Sequence, residues 1–135
     1  MPDIEYDNFS KITLFRLDQG FRQLDADERE SGKKELAELI TELSSDHDIR
    51  SYSTVGTRPD SDMMLIQDSP SVDTFHETSK RINKTLMGKY LDQPYSYLSI
   101  RRKSRYKHGG SAPKLKDDYK YMVIYPMTKS RPWYE

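Results

Sequence analysis

Apolar and polar residues change their spacing several times along the chain, and each change marks an element. Ile12 and Leu14 alternate with Thr13 and Phe15, a period of two that predicts a strand over Lys11–Arg16. Asp25 then opens a helix, with Glu28 three residues on in a capping-box-like spacing. Leu36, Leu39, Ile40 and Leu43 recur at helical intervals, so the helix carries one apolar face to about Ser44. Two short extended runs, Ile49–Gly56 and Asp62–Gln67, flank Thr57-Arg58-Pro59-Asp60-Ser61, whose proline and polar residues suit a hairpin loop. Ser69-Pro70 reads as an N-cap followed by proline at the first helical position. Val72, Phe75, Ser79, Ile82 and Leu86 give that second helix a continuous face, with Gly88 placed to end it. A strand over Tyr95–Lys103 follows, and the extended pattern from Tyr119 to about Lys129 starts a fifth.

The order strand, helix, strand, strand, helix, strand predicts an α+β fold of the ferredoxin-like split βαβ type, an antiparallel sheet with both helices on one face. The expected organisation is an N-terminal arm over residues 1–10, the ferredoxin-like unit over 11–104, a basic linker over 105–118, and the first strand of a second unit over 119–135. A lone fifth strand needs a partner, so it joins another subunit or a chain that continues past Glu135.

Length bounds this picture: 135 residues supply one core. The absence of cysteine excludes disulfides, thiolate metal sites and a cysteine nucleophile. The first residues, MPDIEYDNF, contain no basic stretch followed by an apolar run, and no window approaches the roughly 18 apolar residues of a membrane span. A soluble cytoplasmic protein is the expectation. Net charge is zero, but residues 1–70 hold 16 Asp/Glu against 8 Lys/Arg, and residues 71–135 hold 6 against 14. Halves of −8 and +8 suit either a basic surface for an anionic ligand, complementary contact between subunits, or two oppositely charged solvated surfaces.

Chemistry concentrates at the end of the chain, in YMVIYPMTKSRPWY. If Tyr121–Lys129 is extended, Tyr121, Val123, Tyr125, Met127 and Lys129 share one face, which then carries phenols, a thioether and an ammonium in a row. Such a face suits a flat, anionic, aromatic ligand such as the propionate edge of a porphyrin; the alternative is a tyrosine-rich edge strand with a solvated lysine. His47 and His76 lack metal-ligand spacing to a second His, Asp or Glu, and His108 lies beside two glycines in the basic stretch, where it is a poor candidate for an axial haem ligand, so no metal site is expected. Arg101, Arg102, Lys103, Arg105, Lys107, Lys114 and Lys116 cluster around Tyr106. The pattern is compatible with phosphate contacts, but the balanced net charge and the lack of an aromatic RNA-binding motif argue against nucleic acid.

Tyr125-Pro126-Met127-x-Lys129, followed by Trp133-Tyr134, resembles the signature of the chlorite dismutase superfamily, most closely its coproheme decarboxylase branch. The stretches DADERESGKKELAELITEL, IRSYSTVGTRPDSDMMLIQ, and TLMGKYL followed by PYSYLSI agree with it in family order, so the resemblance runs from about residue 10 to 135. It implies a subunit of two ferredoxin-like halves of the dimeric α/β-barrel type, the second of which binds haem or iron coproporphyrin through a histidine lying after Glu135. It implies a peroxide-dependent coproheme decarboxylase of haem biosynthesis, assembled as a homo-oligomeric ring, a pentamer. By matching motif, Tyr125 would be the redox residue, Lys129 its charged partner near a propionate, Met127 a lining of the porphyrin edge, and Trp133 a neighbour. The branch commonly carries an arginine upstream for a propionate; here that region reads GGSAPKLK, leaving Lys114 or Lys116 in its place. From the residues alone, a stand-alone ferredoxin-like binding or interaction module without redox chemistry, dimerising through its sheet, also fits.

Overall fold

The structure, a computed structural model, describes residues 6–102 and 119–133, with side chains from Asn8 onward. Four strands, β1 (Tyr6–Leu17), β2 (Asp48–Ser53), β3 (Met63–Ser69) and β4 (Leu91–Arg102), form one sheet in the order β2-β3-β1-β4. Every neighbouring pair is antiparallel. The helices are a single turn α1 (Gln19–Arg22), α2 (Ala26–Leu43) and α3 (Asp73–Lys84), and a 3₁₀ turn, Met87–Tyr90, leads into β4. This is the α+β, ferredoxin-like arrangement that the element order predicts.

Period two divides the sheet into two apolar faces. Phe15 of β1, Ile49 of β2 and Leu65 of β3 point to the helices and pack with Leu36, Leu39 and Leu43 of α2 and Ile82 of α3. Their neighbours Leu14, Met64 and Ile66 turn to the opposite face and form a second buried cluster with Ile12 and Tyr52. Among the described residues no helix covers this second face. Its cover comes from the C-terminal segment, whose Met122 packs against the cluster.

Local signals set α2: the Asp25 side chain accepts from the Glu28 N–H at 2.8 Å, and the helix closes at Leu43 with Ser44 as C-cap. Elsewhere long-range contacts move the boundaries. β1 begins at Tyr6, so half of the expected arm is strand, because Tyr6 and Asn8 pair with Arg102 and Arg101 of β4. β2 stops at Ser53, and Gly56, with φ of 78°, sits in the following turn. Ser69 remains in the sheet opposite Phe9, so α3 starts at Asp73 and Ser69-Pro70 is not its cap. The Ser69 hydroxyl instead donates to Thr74 Oγ1 and accepts from the Ser71 N–H.

Nor does Gly88 end α3. The helix closes three residues earlier at Thr85, whose N–H and hydroxyl both donate to the Ile82 carbonyl, and Gly88 lies buried in the 3₁₀ turn, donating to Thr85 Oγ1. The Tyr90 carbonyl then accepts from Asp18 N–H at 2.8 Å, and its ring meets Phe21 edge-on at 5.8 Å. These contacts fix where β4 enters the sheet. The expected fifth strand pairs with no strand among the described residues; Tyr119–Ser130 makes no ladder, and the 3₁₀ turn Arg131–Trp133 follows.

Candidate functional site

Residues 121–127 cross the open face of the sheet in the alternating orientation that their sequence predicts. Met122 packs inward and Ile124 is 40% exposed, whereas Tyr121, Val123, Tyr125 and Met127 are 80, 83, 69 and 70% exposed. One side of the segment is therefore an anchor, and the other presents two phenols and a thioether to solvent. At its end, the Arg131–Trp133 turn brings the Trp133 ring beneath Lys129, with Nζ 3.5 Å from the ring centroid. Among the described residues no carboxylate pairs with Lys129, and no hydrogen bond joins it to Tyr125. Lys114 and Lys116, the expected substitutes for a propionate-binding arginine, lie outside the described residues.

Between the segment and the sheet lies a cavity of about 550 Å³. Its floor is Ile12, Leu14 and Met64, and its wall is the parallel ring pair Tyr95 and Tyr97, 6.4 Å apart with planes at 8°. Register explains the tyrosines: Tyr95 stands opposite Leu14 and Tyr97 opposite Ile12, so both share the open face.

The β2–β3 loop closes one end. Arg58 donates to both oxygens of Asp60 at 2.8 Å, and its guanidinium lies 5.1 Å from the Tyr95 ring centroid. These hydrogen bonds, first that of Arg58 and then that of the Tyr95 hydroxyl, hold the Asp60 carboxyl at about 2. Donation to Asp60 raises the Tyr95 phenol above its ordinary value in return. Sequence reading identified Thr57–Ser61 only as a loop. The signal available was the close spacing of Arg58 and Asp60, but its link to Tyr95 depends on the fold.

At the opposite end of the open face, Asp68 accepts from the Ser10 hydroxyl and pairs with Arg101 at 3.3 Å. Neither described histidine takes part in the segment. His47 Nε2 lies 3.1 Å from Gln67 Oε1, and His76 borders a groove between α3 and β4 on the helix side. His108 lies outside the described residues. Among the described residues no three His, Cys, Asp or Glu side chains group to hold a metal ion, and no helix is long and apolar enough to cross a membrane.

These groups fit one part of a porphyrin. An exposed row of phenol, thioether and ammonium, the last without a carboxylate partner among the described residues, matches an anionic, aromatic edge. No imidazole among the described residues stands on that face to hold an iron atom.

Comparison with known proteins agrees with the fold. Residues 29–135 match the family model described as chlorite dismutase. A chlorite dismutase variant from Candidatus Nitrospira defluvii superposes with a TM-score of 0.71 at 17% identity, over 77% of this chain and 44% of that one. The same enzyme in complex with imidazole gives 0.69 at 18% identity, over 76% and 43%. A haem-binding protein from Thermus thermophilus gives 0.64 at 20% identity, over 88% and 48%. The chain spans less than half the length of each of these structures. Since the family model covers most of the sequence, the chain belongs to the chlorite dismutase family.

Proposed function

We propose that this chain forms the first half of a haem-family enzyme of the coproheme decarboxylase type and contributes the groups that meet a propionate of the porphyrin. The observation that carries this reading is the division of residues 121–127 between Met122, packed against the sheet, and an exposed row containing Tyr125 and Met127. On this reading the segment is the first strand of a second ferredoxin-like unit. The axial imidazole and the remaining pocket walls lie in residues after Glu135, and subunits assemble into a ring.

An iron porphyrin, when bound, would supply the peroxide-driven oxidation of a nearby phenol. On this reading Tyr125 is that phenol: it would give up its hydrogen as a proton and an electron, and its oxygen would then take a hydrogen from the propionate chain. Loss of carbon dioxide, with the second electron passing to the peroxide-oxidised porphyrin, would leave a vinyl group. Over the cycle the propionic acid group and hydrogen peroxide give the vinyl group, carbon dioxide and two waters. Lys129 holds the carboxylate near Tyr125, and Met127 supplies an apolar contact to the ring edge.

The test uses a protein extended past Glu135, loaded with ferric coproporphyrin and treated with peroxide. Tyr125→Phe should abolish propionate loss while the Soret titration is unchanged, and Lys129→Ala should weaken binding or slow the first decarboxylation. Wild-type turnover in both variants would rule the assignment out. A second reading, a ligand-binding module without redox chemistry, draws support from the half-exposed Tyr95 and Tyr97 over the cavity. It predicts that the extended protein shows no saturable Soret shift.

A further inference from the structure

We infer that Trp133 is a positioning residue for Lys129: its indole face holds the ammonium ready for an anionic ligand group. The inference rests on the porphyrin-edge reading above and adds a residue that acts through Lys129 on the propionate. Nζ lies 3.5 Å from the ring centroid, well inside the range of a cation–π contact. The backbone makes this approach local. Trp133 N–H donates to the Ser130 carbonyl at 2.9 Å, closing the 3₁₀ turn that folds the ring back over the preceding lysine. Pro132, with its fixed φ, stiffens the middle of that turn.

The choice of an aromatic counterpart has a chemical consequence. A carboxylate would neutralise Lys129 and compete with an incoming anion; an indole face attracts the ammonium without cancelling its charge. Among the described residues Lys129 has no carboxylate partner, although the chain as a whole carries as many acidic as basic residues. A lysine side chain also loses considerable rotamer freedom on binding, and resting it on the ring removes part of that loss before a ligand arrives. Trp133 acts through Lys129 and not on the ligand itself, so its contribution lies in affinity and placement.

Trp133→Leu removes the ring, and Trp133→Phe keeps an aromatic face. In the 135-residue chain, proton NMR should find the Lys129 ε-methylene resonances displaced upfield by the ring current in wild type and Trp133→Phe, and undisplaced in Trp133→Leu. Soret titration should show ferric coproporphyrin bound at least about threefold more weakly by Trp133→Leu, the worth of an exposed cation–π contact. Its tetramethyl ester should bind wild type and variant alike. Combining Trp133→Leu with Lys129→Met should weaken binding no further than Lys129→Met alone.

Undisplaced Lys129 resonances in the wild type would overturn the inference, and so would wild-type affinity in Trp133→Leu. Displaced resonances in a wild-type chain that binds no porphyrin, even when extended past Glu135, would overturn the decarboxylase reading and the positioning role with it. Porphyrin binding with equal losses for the acid and its ester would overturn the positioning role alone.

Discussion

Replacing Gly88 by alanine tests whether the turn into β4 is built on close backbone approach. A Cβ at this position would fall on the Ile82 carbonyl oxygen and within 2.8 Å of both the Ile82 carbon and Thr85 Oγ1. Two of these atoms are backbone, so the relief must come from moving the 3₁₀ turn. That movement breaks the Gly88 N–H to Thr85 Oγ1 bond and disturbs Tyr90 against Phe21. Overpacking costs about 1–3 kcal/mol and a buried N–H left unpaired a similar amount, so the expected loss is about 3–4 kcal/mol. With an unfolding entropy of about 2.1 cal/mol/K per residue over roughly 100 ordered residues, this lowers the melting temperature by about 15 °C.

Gly56 provides the comparison. Its φ of 78° penalises alanine, but a Cβ there meets nothing within 4 Å. The left-handed conformation costs about 1–2 kcal/mol, partly offset by the reduced freedom of the unfolded chain, so Gly56→Ala should cost about 1 kcal/mol. Thermal and urea unfolding followed by far-UV circular dichroism measure both variants. A Gly88→Ala loss equal to that of Gly56→Ala, or below about 1 kcal/mol, would refute the packing argument.

Asp60 should titrate near 2 in the folded protein and return toward the ordinary carboxylate range in Arg58→Met, which carboxyl-carbon NMR would detect; an unshifted wild-type carboxyl removes the proposed loop clamp. Because the folded value is depressed, this group stabilises the protein above its unfolded value near 3.8, and the contribution is lost as pH falls toward 2, so Asp60→Asn should flatten that part of the stability profile. Met122→Asp should free the C-terminal segment from the Leu14, Met64 and Ile66 cluster while leaving the sheet folded, since the lost contacts lie outside the helix-facing core. Trp133 is the only tryptophan, so its fluorescence anisotropy should fall in that variant; unchanged anisotropy would mean that other contacts hold the segment.

What the sequence reveals depends on the range of the interaction responsible. The cap of α2 is legible because Asp25 and Glu28 meet within a single turn, and its buried face is legible because Leu36, Leu39 and Leu43 repeat at the helical period. Ser69-Pro70 has equally good local credentials as a cap, but pairing of Ser69 with Phe9 keeps it in the sheet. Gly88 has the right residue type for a helix end, yet what requires glycine there is the approach of Ile82, which spacing cannot reveal. The exposed row of Tyr121, Val123, Tyr125 and Met127 follows from period two, whereas the seat of Lys129 on Trp133 depends on a turn and the Arg58–Asp60–Tyr95 group on a loop meeting a distant strand.

Parity connects the fold to the proposed chemistry. Leu14 and Met64 occupy the open face because Phe15 and Leu65 occupy the helix face, an assignment fixed by the core. The apolar cluster they form accepts Met122, and once Met122 points inward, Tyr125, three residues later, must point outward in an extended chain. A slip of one residue would turn Tyr125 toward the sheet and expose Met122 in its place. The orientation of Tyr125 is thus set by which hydrophobic side chain of the segment fits the sheet, without any direct contact between Tyr125 and the helix-facing core.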